Sequence, residues 1–280
     1  MKRSCCARLL VALSLWAVSL QAVPPAKSAV VYYGPNTPYT LLAGHDYIIV
    51  QPGHTDTNTS GFKSNKDHMY AYISVGEAEA GAWYFKNIKR EWVLGANGLW
   101  SSKVMDISNP EFHAFMLDSV IGDLRKKGFR HFFFDTLDSY QIIAKDDKER
   151  QRMKAGLIRF IKAFHKQYPD AKLILNRGFE IIDEVHEAIE AVLFESLFLG
   201  LSSKDLGYTE MTPQQREWLM IHVNRIKAYG KPVIAVEYAK DTHSKNAHDV
   251  CKRIKALGII PYVGDRALQH VGLSSKSKAE

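Results

Sequence analysis

The chain has 280 residues, 46% hydrophobic and 24% charged, a balance that supports a sizeable core and excludes a disordered or fibrous chain. It carries 37 basic and 30 acidic residues, a formal charge of +7. Three of the basic groups, Lys2, Arg3 and Arg8, lie before residue 22. The remainder therefore holds 34 against 30, or +4, and no basic cluster interleaved with aromatics argues for nucleic acid.

The N-terminus reads differently from the rest. A basic start precedes the apolar run Leu9–Leu20, and small residues follow at Ala22, Ala26 and Ala29. This is the pattern of a secretory signal peptide over residues 1–22, cut between about 22 and 29. The run is 12 residues long, short of the roughly 20 needed to span a bilayer. The mature chain is therefore expected to be periplasmic or secreted, with no membrane association after signal removal. Cys5 and Cys6 fall in the presumed signal, leaving Cys251 alone in a helix. A single cysteine makes no internal disulfide, and a small buried hydrophobe is its expected role.

Eight β-branched and aromatic runs follow, at residues 30–33, 47–51, 69–75, 131–136, 172–176, 191–197, 233–237 and 259–263. Most are continuously apolar, as parallel strands buried on both faces are. Helical segments separate the later ones. One starts at Asn109-Pro110, places Phe112, Phe115, Met116, Val120 and Leu124 on one face, and stops at Gly128. A second spans roughly 147–168, with Met153, Leu157, Phe160, Ile161 and Phe164 inward and Pro169 behind it. A third opens on the capping box Thr212-Pro213-Gln214-Gln215 and ends at Gly230. A fourth carries Val250, Ile254 and Leu257 and ends at Gly258. This alternation predicts a single-domain (β/α)8 TIM-type barrel over residues 30–272, with a frayed tail at 273–280. The alternative, an open doubly wound sheet, lacks a Gly-rich phosphate turn after its first strand. Residues 53–67 read as a loop, and residues 81–103, with Trp83, Trp92 and Trp100, as an elaborated loop-and-helix insert with few strand signals.

In such a barrel the strand C-termini carry the chemistry, and here most of them end in carboxylates. Glu77 and Glu79 follow the third strand, Asp135 and Asp138 end the fourth, Glu195 lies in the sixth and Glu237 in the seventh. Asn176 and Arg177 end the fifth. Acids inside apolar runs are costly unless paired or functional. Each has a structural alternative: Asp135 as a turn cap, Glu195 or Glu237 paired with Arg177, Glu77 and Glu79 solvated. Together they favour a catalytic pocket, and two carboxylates are the usual machinery of glycoside hydrolysis. Tyr32, Tyr33, Tyr140 and Tyr238 are candidate sugar-stacking residues, although tyrosines more often serve packing. No HExxH and no G-x-S-x-G is present, so zinc-hydrolase and serine-esterase patterns are missing, and no metal or cofactor is expected.

Four blocks carry a family resemblance: Tyr72-Ile73-Ser74-Val75-Gly76-Glu77, the run from Gly128 to Tyr140 containing Phe134-Asp135-Thr136-Leu137-Asp138, Leu175-Asn176-Arg177-Gly178-Phe179-Glu180, and Glu195-Ser196-Leu197-Phe198. In order and spacing they resemble the endo-α-1,4-polygalactosaminidase superfamily, in particular the hydrolase domains of exopolysaccharide deacetylase–hydrolases, from about Val30 to Gly272. The resemblance implies a (β/α)8 barrel that cleaves an α-1,4-linked, partly de-N-acetylated N-acetylgalactosamine polymer internally, in biofilm matrix processing. Asp135 and Glu195 are its implied catalytic acids, assigned by fold analogy as nucleophile and acid/base respectively, with the reverse left open. Tyr33, Glu77, Asp138, Tyr140, Asn176, Glu237 and Tyr238 are its implied substrate-binding residues, and exopolysaccharide export machinery its implied partner. An acidic groove suits a cationic galactosamine. The residues leave open a catalytically inactive carbohydrate-binding barrel and a hydrolase for another α-linked amino sugar or galactan. They also fit both a standalone hydrolase and a piece of a longer product.

Overall fold

The computed structural model describes residues 28–276 except Ser203 and Leu206; the expected signal segment lies outside the described residues. All eight expected strands are present, as β1 (Ala29–Tyr32), β2 (Tyr47–Val50), β3 (Met69–Ser74), β4 (His131–Asp135), β5 (Leu173–Asn176), β6 (Ala191–Glu195), β7 (Val233–Tyr238) and β8 (Ile260–Gly264). They pair in sequence order, each parallel to the next. The ends of this sheet meet: the Tyr262 hydroxyl donates to the Val31 carbonyl at 2.9 Å, and the Tyr33 amide donates to the Leu268 carbonyl at 2.7 Å. The result is a nearly closed TIM-type barrel.

Strand β4 shows why continuous apolar runs were required. Phe132 and Phe134 point outward against Phe160 and Phe164 of helix α2 (Asp147–Gln167), with ring centroids 5.0–5.6 Å apart. Phe133 and Asp135, out of phase by one residue, point inward. Phe133 meets Tyr72, and Tyr72 meets Tyr33 at 5.1 Å, so aromatic rings floor the upper barrel. Both faces of the strand are covered, leaving no polar alternation to read.

The helices begin where their caps predict. Asn109 Oδ1 accepts from the Glu111 and Phe112 amides ahead of helix α1 (residues 110–126), whose middle, Phe115–Ile121, is a π-helical segment. Asp146 caps α2, and Thr212 and Gln215 form the capping box of α3 (Pro213–Ala228). Ser244 caps α4 (Lys245–Ala256). Helix α2 lies so close to the chain before residue 110 that only glycine fits at 156. A Cβ there would sit 2.4 Å from Ser108 Cα and 2.6 Å from the Ile107 carbonyl. Alanine is the better helix former by about 1 kcal/mol, yet Gly156→Ala is expected to destabilise by about 1–3 kcal/mol through overpacking. A lower chemical-denaturation midpoint checks this; an unchanged one would show that α2 can lift away.

Three features depart from expectation. The insert between β3 and the helix at 110–126 holds a three-stranded antiparallel sheet of Glu77–Glu79, Ser102–Met105 and Val93–Asn97. Its strands include Gly95 and Asn97, which favour turns; tertiary contacts hold them, with buried Trp92 packed on Phe112 and Phe115. A second hairpin, Leu199–Leu201 with Tyr208–Glu210, follows β6. Finally, Leu273 and Ser274 pair antiparallel with Val263 and Tyr262, so the barrel edge extends two residues into the expected tail.

Candidate active site

Asp135 ends β4, Asn176 ends β5 and Glu195 ends β6. The residue after each takes a left-handed turn: Thr136 at φ 62°, Arg177 at 56° and Ser196 at 67°. Non-glycine residues adopt this region at a cost of about 1–3 kcal/mol, and β-branched Thr136 is the most constrained of them. Three such turns side by side stop the strands where their last inward side chains converge. Thr136 is held in place by its hydroxyl, which donates to its neighbour's carbonyl, Asp135 O, at 2.6 Å and accepts from the Gly76 amide at 2.9 Å. Gly76 has no Cβ because one would lie 2.0 Å from the Thr136 carbonyl.

The Asn176 side-chain amide joins the two acids. Its Nδ2 donates to Asp135 Oδ1 at 2.7 Å and to Glu195 Oε1 at 3.0 Å. Those oxygens therefore lie no more than 5.7 Å apart, the sum of the two distances, and about 5 Å apart if the two amide hydrogens diverge at their normal trigonal angle. The other end of the amide, Asn176 Oδ1, is buried and meets no donor from the described residues.

Burial and a neighbouring charge act on Asp135. Burial, and then the neighbouring charge of Glu195, pushes Asp135 up to about 6. The Asn176 amide, the Thr136 amide at 2.8 Å and the Tyr72 hydroxyl act in the opposite direction by favouring its ionised form. The Tyr238 hydroxyl stands against Glu195. Tyr33, Tyr72 and Tyr238 are all held well above the usual phenol range, by burial first, then by Asp135 for Tyr72 and by both acids for Tyr33 and Tyr238, so they remain neutral. A cleft of about 310 Å³ opens beside Tyr238, lined by Leu199, Tyr208, Glu210, Lys240 and Asp241.

The other sequence candidates divide. Tyr33 and Tyr238 join the acids, and exposed Asp138 lies on the loop leaving Asp135. Glu77 and Glu237 are buried beneath the loops of the barrel mouth and bond to those loops. Glu77 is 5% exposed and accepts from Ser139 Oγ at 2.5 Å, from Asn97 Nδ2 at 3.0 Å and from Ser102 Oγ. Glu237 is fully buried and accepts from three consecutive amides, Leu197, Phe198 and Leu199, at 2.7, 2.8 and 2.5 Å. Both carboxylates are thus occupied in holding loops. Tyr140 is likewise buried, and its hydroxyl donates to Glu180 at 2.8 Å. Arg177 makes no ion pair with Glu195 or Glu237. Tyr72 and Thr136 are the contributors that sequence reasoning passed over. Tyr72 lies two residues before Ser74, which pairs with Asp135, so alternation along β3 points it inward. Among the described residues no group of three or more His, Cys, Asp or Glu could hold a metal, and no helix is long and apolar enough to cross a membrane.

Comparison with known proteins agrees with the fold. The solved glycoside hydrolase domain of PelA from Pseudomonas aeruginosa superposes with a TM-score of 0.81 at 29% identity, covering 89% of this chain and 98% of that domain. Ega3 of Aspergillus fumigatus, solved with galactosamine, shares the fold at a TM-score of 0.67 and 16% identity, covering 91% and 97%. An uncharacterized Deinococcus radiodurans protein is 27% identical over 74% of this chain and 67% of its own length. For one from Methanocaldococcus jannaschii the values are 24%, 72% and 62%, so the chain spans about two thirds of these relatives. The profile of glycoside hydrolase family GH114 matches residues 17–280. The chain belongs to family GH114 and is a glycosidase.

Proposed function

We propose that this glycosidase cleaves an α-1,4-linked, galactosamine-containing polysaccharide internally, with retention of anomeric configuration. The observation that carries the mechanism is the shared Asn176 amide, which keeps the nearest carboxylate oxygens within 5.7 Å. Retaining enzymes place their acids about 5–5.5 Å apart and inverting enzymes about 6.5–9.5 Å, the latter leaving room for a water. Asp135 is taken as the nucleophile by fold analogy, its carboxylate oriented by three donors although burial raises it to about 6: it bonds to the anomeric carbon as the glycosidic C–O bond breaks. Glu195 is then the group that gives a proton to the departing oxygen and later takes one from the water that releases the sugar. The substrate class is supported by the galactosamine held by Ega3 and by exposed Glu210 and Asp241 in the cleft beside Tyr238. These two, with Asp138, replace Glu77 and Glu237 as groups able to attract a cationic sugar.

The same reading has the chain exported by its N-terminal segment and acting on biofilm exopolysaccharide. N-terminal sequencing of the protein recovered outside the cytoplasm tests the export. The activity is tested by incubating purified protein with partly de-N-acetylated α-1,4-galactosaminan. Short oligomers should be released, with kcat/KM falling as pH drops through about 6, where Asp135 gains the proton that ends its nucleophilicity. Polymer bound but uncut would favour a binding barrel instead.

A further inference from the structure

Two buried carboxylates hold loops at the barrel mouth, and one of the loops held ends in an exposed tryptophan. Asn97 and Ser102 pair across a hairpin whose tip is Gly98-Leu99-Trp100-Ser101. Both donate to Glu77. The tip is closed further by the Leu99 amide donating to Asn97 Oδ1 at 3.1 Å and by the left-handed turn at Ser101, φ 53°. The third donor to Glu77, Ser139, belongs to the loop that leaves Asp135 and is four residues beyond it. The hairpin also presses on that loop at Gly95, where a Cβ would meet Ile143 Cγ2 at 2.9 Å. The tip is thus fixed to the rim of the active site by side-chain hydrogen bonds and close packing.

What this tip presents is apolar. Trp100 is 53% exposed and Leu99 44%, and Ile142 on the adjoining loop is 60% exposed. A tied turn carrying a half-exposed tryptophan is unexplained by packing, since the tryptophan that the insert buries is Trp92. Exposed apolar surface beside a site marks contact with a ligand. Among the described residues Trp100 has no ring or cation partner, so its face is open to one.

We infer that Trp100 forms an aromatic subsite for the polysaccharide, stacking on the C–H face of a sugar unit beyond the cleaved bond. An indole face offers apolar area to a pyranose and attraction to its ammonium group when the sugar is deacetylated. The occupant is continuous with the chain held at Asp135 and Glu195, because the hairpin and the Asp135 loop share Glu77. This inference rests on the proposed polysaccharide substrate, and its test separates the two.

The first arm measures cleavage of partly de-N-acetylated galactosaminan and of its trimer by the wild type, Trp100→Ala and Trp100→Phe. Trp100→Ala should lose about tenfold in kcat/KM on the polymer and less than twofold on the trimer, and Trp100→Phe should recover part of the loss. Equal losses on both substrates, or none on the polymer, would overturn the inference. The second arm is affinity electrophoresis in gels containing the uncut polymer, using Asp135→Asn with and without Trp100→Ala. Retardation that weakens without Trp100 supports the subsite even if the wild type proves inactive on this polymer; retardation unchanged by Trp100→Ala, or absent from both, overturns it.

Discussion

Replacing Asp135 by Asn is expected to lower kcat at least about a thousandfold while making the protein more stable at neutral pH. The kinetic loss follows from its place opposite Glu195 on the Asn176 amide. The gain in stability follows from linkage. The folded-state value, about 6, lies above the ordinary 3.8 because burial and Glu195 disfavour the charge. The folded protein therefore binds this proton more tightly than the unfolded chain, so the group favours folding most below about 4 and this advantage is lost as pH rises through about 6. At pH 7 the charge costs about 1–3 kcal/mol, the lower end reflecting that the side chain is not sealed from water. Thermal unfolding of Asp135→Asn should move up by a few degrees, a trade of stability for activity common at catalytic centres. Glu195→Gln should lose activity on a comparable scale, and azide separates the roles. On an activated α-glycoside it should yield the β-azide from Asp135→Asn, by direct displacement, and the α-azide from Glu195→Gln, by attack on the covalent intermediate. The opposite pattern would exchange the assignments.

Glu237→Ala is expected to cost about 3 kcal/mol or more, lowering the melting temperature by roughly 6–12 °C and disturbing activity through the loop after Glu195. Burial pushes Glu237 up to about 7, against the pull of the Leu197, Phe198 and Leu199 amides. Those amides follow the left-handed Ser196 and form a small anion-binding concavity filled by the protein's own carboxylate. Alanine leaves three N–H groups with no acceptor. Glu237→Gln keeps one oxygen and should lose less. Thermal denaturation of the two variants checks the order; equal, small losses would mean that water replaces the carboxylate at no cost.

The contrast between Glu195 and Glu237 shows what was legible in the sequence. The eight strands were readable because most are continuous apolar runs; Asp135 and Glu195 were visible as acids at the ends of such runs, and the resemblance alone marked them as the catalytic pair. Glu237 satisfies the same criterion. Its difference is one of phase: Val236 pairs with Glu195, so Glu237 is one residue out of step and belongs to the other face. Register of that kind is set by pairing between distant segments, which spacing within one segment does not contain. Glu77 misleads for another reason. The three donors that bury it come from residues 97, 102 and 139, and the hairpin supplying two of them has weak strand propensity of its own. Asn176 was visible as a polar strand end, but its service to two acids at once is a property of three converging strands.

The most direct test of the account follows the anomeric proton of newly formed reducing ends by NMR during the first minutes of galactosaminan hydrolysis, before mutarotation. Two carboxylates held on one asparagine amide predict that the α-anomer forms first. First appearance of the β-anomer would mean that a water attacks between the acids, and would contradict the assignment of Asp135 as nucleophile.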